Sequence, residues 1–218
     1  SERLAASAFP VLRRRLTTGL NDMGLTPSRL GRQPEALPYL ERSLALRTAA
    51  AEANPGSVRA QRDLALVRHR LGDVRGDMGD KNGAIEFYAR ARDTLAGIAE
   101  ADESDARARF DWSIAEEKLA NALLESGRIA QARTHYAASG DLRTRLAEGN
   151  PDNQLYRNAS GIAIERVAHC ARLLGEHGAA RAGYDRAIAI AREGIAADDT
   201  DVRVWTLLVS AQQGTGQS

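Results

Sequence analysis

Four histidines, one cysteine and a pair of adjacent glutamates are the side chains here that could carry chemistry. His69, His135, His169 and His177 are spread so that no two stand at i, i+4 on one helix, and a metal site of that kind is not written. Cys170 is the only cysteine. It excludes an intrachain disulfide and every C-x-x-C site, and among Ala168, Ala171 and Leu173 it reads as a small buried apolar residue. Glu116-Glu117 reads as a solvated pair within reach of arginines from a neighbouring repeat. No G-x-S-x-G, P-loop or dinucleotide-type glycine run occurs. No catalytic residue, metal site or cofactor is therefore assigned.

Net charge excludes less, but it points the same way. Lys+Arg 30 against Asp+Glu 29 leaves +1, with no basic stripe, so a nucleic-acid partner is not expected. No apolar run approaches the ~18 residues of a membrane span. A cytoplasmic protein is the expectation, although a chain beginning at Ser1 says little about a leader segment.

What organises these residues is an internal repeat. Shifting the sequence by 48 places Asn54-Pro55 on Asp102-Glu103, Asn150-Pro151 and Asp198-Asp199. Leu71-Gly72 falls on Leu119-Ala120 and Val167-Ala168, Gly79 on Gly127 and Gly175, Ala84 on Ala132 and Ala180, and Tyr88 on Tyr136 and Tyr184. The expected copies are about 6–53, 54–101, 102–149 and 150–197, closed by a helix over about 202–213, as one repeat domain over 1–218. Each full copy reads as two helices. In the second, Leu64, Val67, Leu71 and Val74 line a helix over about 58–78. Gly79-Asp80-Lys81-Asn82-Gly83 reads as a turn with Gly79 left-handed, and a second helix covers about 84–101. The fourth copy's apolar face is expected to include Leu173-Leu174. The first copy is irregular: a helix over about 11–23 stops at Pro27, and Pro34 and Pro38 disturb the next. Tyr88, Tyr136 and Tyr184 are expected to fill the seam between small residues at 72, 84 and 91 and their counterparts.

The run Leu71-Gly72…Ala84…Tyr88…Ala91 resembles the tetratricopeptide repeat. The early Trp of that family is Arg68, Glu116 and Ile164 here, and the period is longer than the usual ~34. The resemblance implies an all-α, right-handed α-solenoid of antiparallel helical hairpins. The 14 extra residues are expected to lengthen the helices, raising each hairpin by roughly 10 Å. Gln61-Arg62-Asp63-Leu64 with Leu71-Gly72-Asp73-Val74 is also similar to long-period repeats behind the kinase domain of some bacterial serine/threonine kinases, though no kinase motif is present.

The resemblance further implies a concave groove lined by first helices. Its projected positions are Thr18 and Asn21; Arg62, Leu66, His69 and Asp73; Ile114, Glu117 and Asn121; and Ile162, Glu165, His169 and Arg172. The strip is mixed in charge and amphipathic, which favours a protein or peptide partner. Three functions follow: a non-enzymatic interaction module, a regulatory or sensor region of a kinase or other signalling protein, and a helical hydrolase or lyase. A deep pocket holding two close carboxylates or a carboxylate–His pair would mark the last. The first repeat and the apolar closing helix with Trp205 are candidate surfaces for a homodimer.

Overall fold

A computed structural model describes residues 33–216, together with Gly19 alone. The expected first helix over 11–23, with Thr18 and Asn21, lies outside the described residues. Within them the chain is helix and short turns, with no strand. In order, α1 is Gln33–Ala53, α2 Val58–Asp77, α3 Lys81–Ala101, α4 Ala106–Glu125, α5 Ile129–Gly149, α6 Gln154–Leu173, α7 His177–Ala197 and α8 Val202–Thr215. Two compact units, Ser1–Ile98 and Ala99–Ser218, divide inside α3.

The 48-residue period is built almost wholly of helix. First helices run 20 residues and second helices 21, each about 30 Å long at 1.5 Å per residue. The added length is helical, as expected. Each first helix starts on a side-chain cap: Ser57 to Ala60 N, Asp105 to Ala108 N and Asn153 to Tyr156 N. Each ends in a glycine of positive φ, Gly79 (84°), Gly127 (80°) and Gly175 (79°), with the backbone N–H beyond it donating back to the carbonyl of Arg75, Leu123 or Ala171. A residue with a Cβ is strained in that conformation.

The first hairpin turn is shorter than its composition suggests. Lys81, Asn82 and Gly83 are helical, because Asp80 Oδ1 accepts from Gly83 N at 2.9 Å and starts α3 there. Pro38 sits inside α1 without ending it. Leu173 and Leu174 are exposed, a departure from the expected apolar face. They share register with Asp77-Met78 and Glu125-Ser126, the last residue and C-cap of a first helix, where the chain has already left the core.

In the first unit Ala36, Leu40, Leu64, Val67, Leu71 and Val74 form the core between α1 and α2. In the second, Ala168, Ala180, Tyr184, Ala187, Val204, Leu207 and Ala211 join α6, α7 and α8. Small residues set the approach. A Cβ on Gly72 would meet the Tyr88 ring at 2.7 Å, and one on Gly214 would meet the Tyr184 ring at 2.3 Å.

Beneath the 48-residue period lies one of 96. The loops alternate, Asn-Pro at 54 and 150, Asp at 102 and 198. Asp102 Oδ1 takes Ser104 N and Oγ at 3.0 and 2.6 Å, and Asp198 Oδ1 takes Thr200 N and Oγ1 at 2.9 and 2.6 Å. Two buried arginines follow the same rule. Arg47 Nη1 donates to Asp63 O, and Arg143 Nη1 to Ala159 O, both at 3.2 Å, so each bonds a carbonyl on the first helix of the next repeat. Arg143 also reaches Ser113 Oγ and the Glu117 carboxylate. The intervening copies hold Leu95 and Ala191 at this place, both buried.

The intervening copies thus accept an apolar side chain there, and the stem of a buried arginine can supply the same packing. Truncation and charge removal should separate. In urea titrations, Arg143→Ala is expected to cost about 3 kcal/mol through the void it leaves, and Arg143→Leu less than about 1.5 kcal/mol. Equal losses would show that the charge, not the volume, holds the α5–α6 contact.

Candidate functional site

The projected groove positions among the described residues fall on α2 in the first unit and on α4 and α6 in the second. In the first, α2 carries them, and between buried Leu64, Val67 and Leu71 it presents Arg62, Leu66, His69 and Asp73. Leu66 is 43% exposed. Asp73 is half-buried because Oδ1 accepts from Tyr88 Oη at 2.6 Å, and the His69 ring lies 6.1 Å from that of Tyr88. Both residues therefore brace the seam tyrosine while keeping an accessible edge.

In the second unit α4 supplies Ile114, Glu117 and Asn121, all half-buried. Asn121 Oδ1 accepts from Tyr136 Oη, the same bond one repeat later. Burial raises the Tyr136 phenol far above its ordinary range, so it stays a donor. Glu117 pairs with buried Arg143 of α5. The expected glutamate–arginine pairing is real, but it lies inside one hairpin and not between repeats.

From α6 come Ile162, Glu165, His169 and Arg172. Glu165 is 4% exposed and so is not a groove-surface group. Its Oε1 accepts from Ser210 Oγ of α8 at 2.7 Å, and Arg166 stands 3.7 Å from Oε2. Arg172 is exposed, with Nη2 3.5 Å from His169 Nδ1. Burial holds the half-buried His169 imidazole below its ordinary value, and the Arg172 cation adds to this. Cys170 is buried and its thiol is pushed up by desolvation, the state of an unreactive core cysteine.

Sequence reasoning missed one cluster. Glu116 is 3% exposed, not solvated. Its Oε1 accepts from Trp112 Nε1 at 2.9 Å and its Oε2 meets His135 Nδ1 at 2.7 Å. This carboxylate–His pair joins α4 to α5. Each oxygen is already engaged by an internal partner, so the carboxylate serves packing before proton transfer. The signal was faint: position 116 aligns with Arg68 and Ile164, an acid, a base and an apolar residue in one register. Among the described residues no group of three His, Cys, Asp or Glu is placed to hold a metal, and no helix is long and apolar enough to cross a membrane.

No family model matches the sequence, and no curated protein is similar to it. Solved structures are. The apo form of RapI superposes with TM-score 0.61 at 10% identity, over 92% of this chain and 64% of that one, so this chain spans less than two thirds of RapI. A putative kinesin light chain with nearly identical TPR-like repeats, from Podosopora anserina, gives 0.57 at 15% identity over 94% and 88%. BtubC (BKLC) from P. vanneervenii gives 0.53 at 15% over 94% and 85%. At these identities the likeness is one of fold: helical hairpins of the tetratricopeptide type.

His169 is expected to make folding stability depend on pH. The folded ring resists protonation, so below about pH 6.5 the unfolded chain binds more protons than the native one. Stability from this group is complete above that pH and is lost as pH falls through the lowered value. Urea midpoints at neutral and mildly acidic pH should fall less for His169→Gln than for wild type. Identical pH slopes would show that His169 is not a source of it.

Proposed function

We propose that this tetratricopeptide-like chain is a non-enzymatic protein-interaction module, and that the first-helix face of its second unit holds a short peptide segment. One observation carries the reading. Residues that recur every 48 positions are buried: Leu71 and Leu119, Ala84, Ala132 and Ala180, Tyr136 and Tyr184. First-helix residues that keep an accessible edge change from copy to copy, with Leu66, His69 and Asp73 answered by Ile114, Glu117 and Asn121, and then by Ile162, His169 and Arg172. Constant packing beneath a varied surface is the arrangement of a scaffold whose specificity is local.

The chemistry of that face favours an acidic segment with an apolar neighbour. Arg172 is an exposed cation with a half-buried imidazole beside it, and Asn121 and Ile114 add a polar amide and an apolar contact on the preceding first helix. Glu165, turned to Ser210, does not oppose an incoming carboxylate from the surface. The same module serves as a free-standing scaffold or as the regulatory region of a larger signalling protein, since the surface is unchanged.

Peptides selected from a random displayed library on the wild-type chain are expected to carry Asp or Glu. Their Kd should rise at least about tenfold, or 1.4 kcal/mol, with Arg172→Glu, and stay within about twofold with Arg186→Glu on the exposed side of α7. Selected peptides indifferent to Arg172→Glu, or sensitive to Arg186→Glu instead, would remove the first-helix face from consideration.

A further inference from the structure

Glutamate stands at one register in two first helices of the second unit, Glu117 in α4 and Glu165 in α6. Free at the surface, either would set a carboxylate among the groups that receive an acidic segment. Neither is free. Glu117 pairs with the buried Arg143 of α5. Glu165 is buried, and its Oε1 accepts from Ser210 Oγ of α8 at 2.7 Å. A carboxylate taken out of water is strongly destabilising unless it is partnered in this way.

The two partners come from different elements, and each stands in for the other. Position 143 becomes Ala191 in the next copy, buried and unable to bond a carboxylate. Position 210 is Ile162 one copy earlier, and Ile114 and Leu66 before that. Where the second helix offers arginine, the following first helix therefore carries isoleucine. Where the second helix offers alanine, the following helix carries the hydroxyl. In the copy whose register residue is His69, both places are apolar, Leu95 and Ile114. Arginine or serine thus occurs at these places where a carboxylate is present to be held: Arg47 on Asp63, Arg143 on Glu117 and Ser210 on Glu165.

Release of Glu165 would be felt on the peptide face itself. Arg166 Nε stands 3.7 Å from its Oε2, and His169 follows at i+4 on the same helix, with Arg172 Nη2 3.5 Å from the His169 Nδ1. A carboxylate freed from α8 turns to these groups and competes with an incoming acid for them. We propose that Ser210 sets the charge preference of this face, as a positioning residue that selects acidic segments by keeping Glu165 off His169 and Arg172. This role presupposes that the first-helix face of the second unit seats an acidic peptide. It also brings α8 into that site, since Ser210 shares the register of Ile114 and Ile162 and is half-buried as they are.

Calorimetric titration of an acidic peptide selected on the wild-type chain tests this in four forms of the full chain: wild type, Ser210→Ala, Glu165→Gln and the double variant. Alanine is the better helix former, so α8 keeps its helix and the circular dichroism spectrum stays unchanged. Ser210→Ala should raise Kd about fivefold. In the Glu165→Gln background the same replacement should change Kd by less than about twofold, because no charge is left to release. A purely structural loss at α8 would instead weaken both backgrounds alike. Ser210→Ala binding like wild type, or a loss that persists with Glu165→Gln, overturns the role of Ser210, and the peptide face stands if Arg172→Glu still weakens binding. A peptide indifferent to Arg172→Glu removes the face and this role together.

Discussion

The structure depends on a phenol ring wedged between helices at a distance only small residues allow. Tyr136 and Tyr184 are each 1% exposed, and Tyr88 is 9% exposed against the bare backbone of Gly72. Burying such a ring contributes roughly 2–3 kcal/mol, but only if its hydroxyl finds a partner. Tyr88 and Tyr136 find one at the same register, Asp73 and Asn121. At Tyr184 that register holds His169 instead; the Arg172 guanidinium stands near its hydroxyl, and its ring meets Gly214 of the closing helix. Each seam therefore fixes a polar first-helix residue, and the surface chemistry of a repeat is tied to its core.

This coupling explains what could be read in advance. Hairpins, their lengths and their glycine stops follow from residues whose types recur at 48: Gly79, Gly127 and Gly175 have no substitute that adopts their backbone conformation without strain, and the alanines and tyrosines interlock by size. The buried polar groups were not legible. Arg143 and Glu116 carry residue types that usually mark a solvated face, and the partners that make their burial tolerable come from another helix. The 96-residue recurrence of Arg47 and Arg143, with Ser43 and Ser139 a turn before them, was in the sequence throughout. Its meaning needed the bond to the next repeat's carbonyl.

The candidate site was legible by position and not by role. Register placed Asp73, Asn121, His169 and Arg172 on first helices, where the structure has them partly or fully exposed. It could not say that Glu165 turns inward to Ser210, or that Glu117 is committed to Arg143, because helix periodicity gives a face and not a rotamer. What remains open to a partner in the second unit is narrower than the projected strip: a cation, a half-buried imidazole, an amide and an isoleucine. Few groups at fixed spacing on stiff helices favour a short segment bound with little rearrangement.

Amide and side-chain chemical-shift mapping of the chain on addition of a selected acidic peptide tests the central claim most directly, since it locates the contact without altering a residue. The account predicts the largest shifts at Asn121, His169 and Arg172, with little change at Arg186 and Arg192 on the exposed side of α7. Shifts concentrated on the second helices, with Asn121, His169 and Arg172 silent, would contradict it.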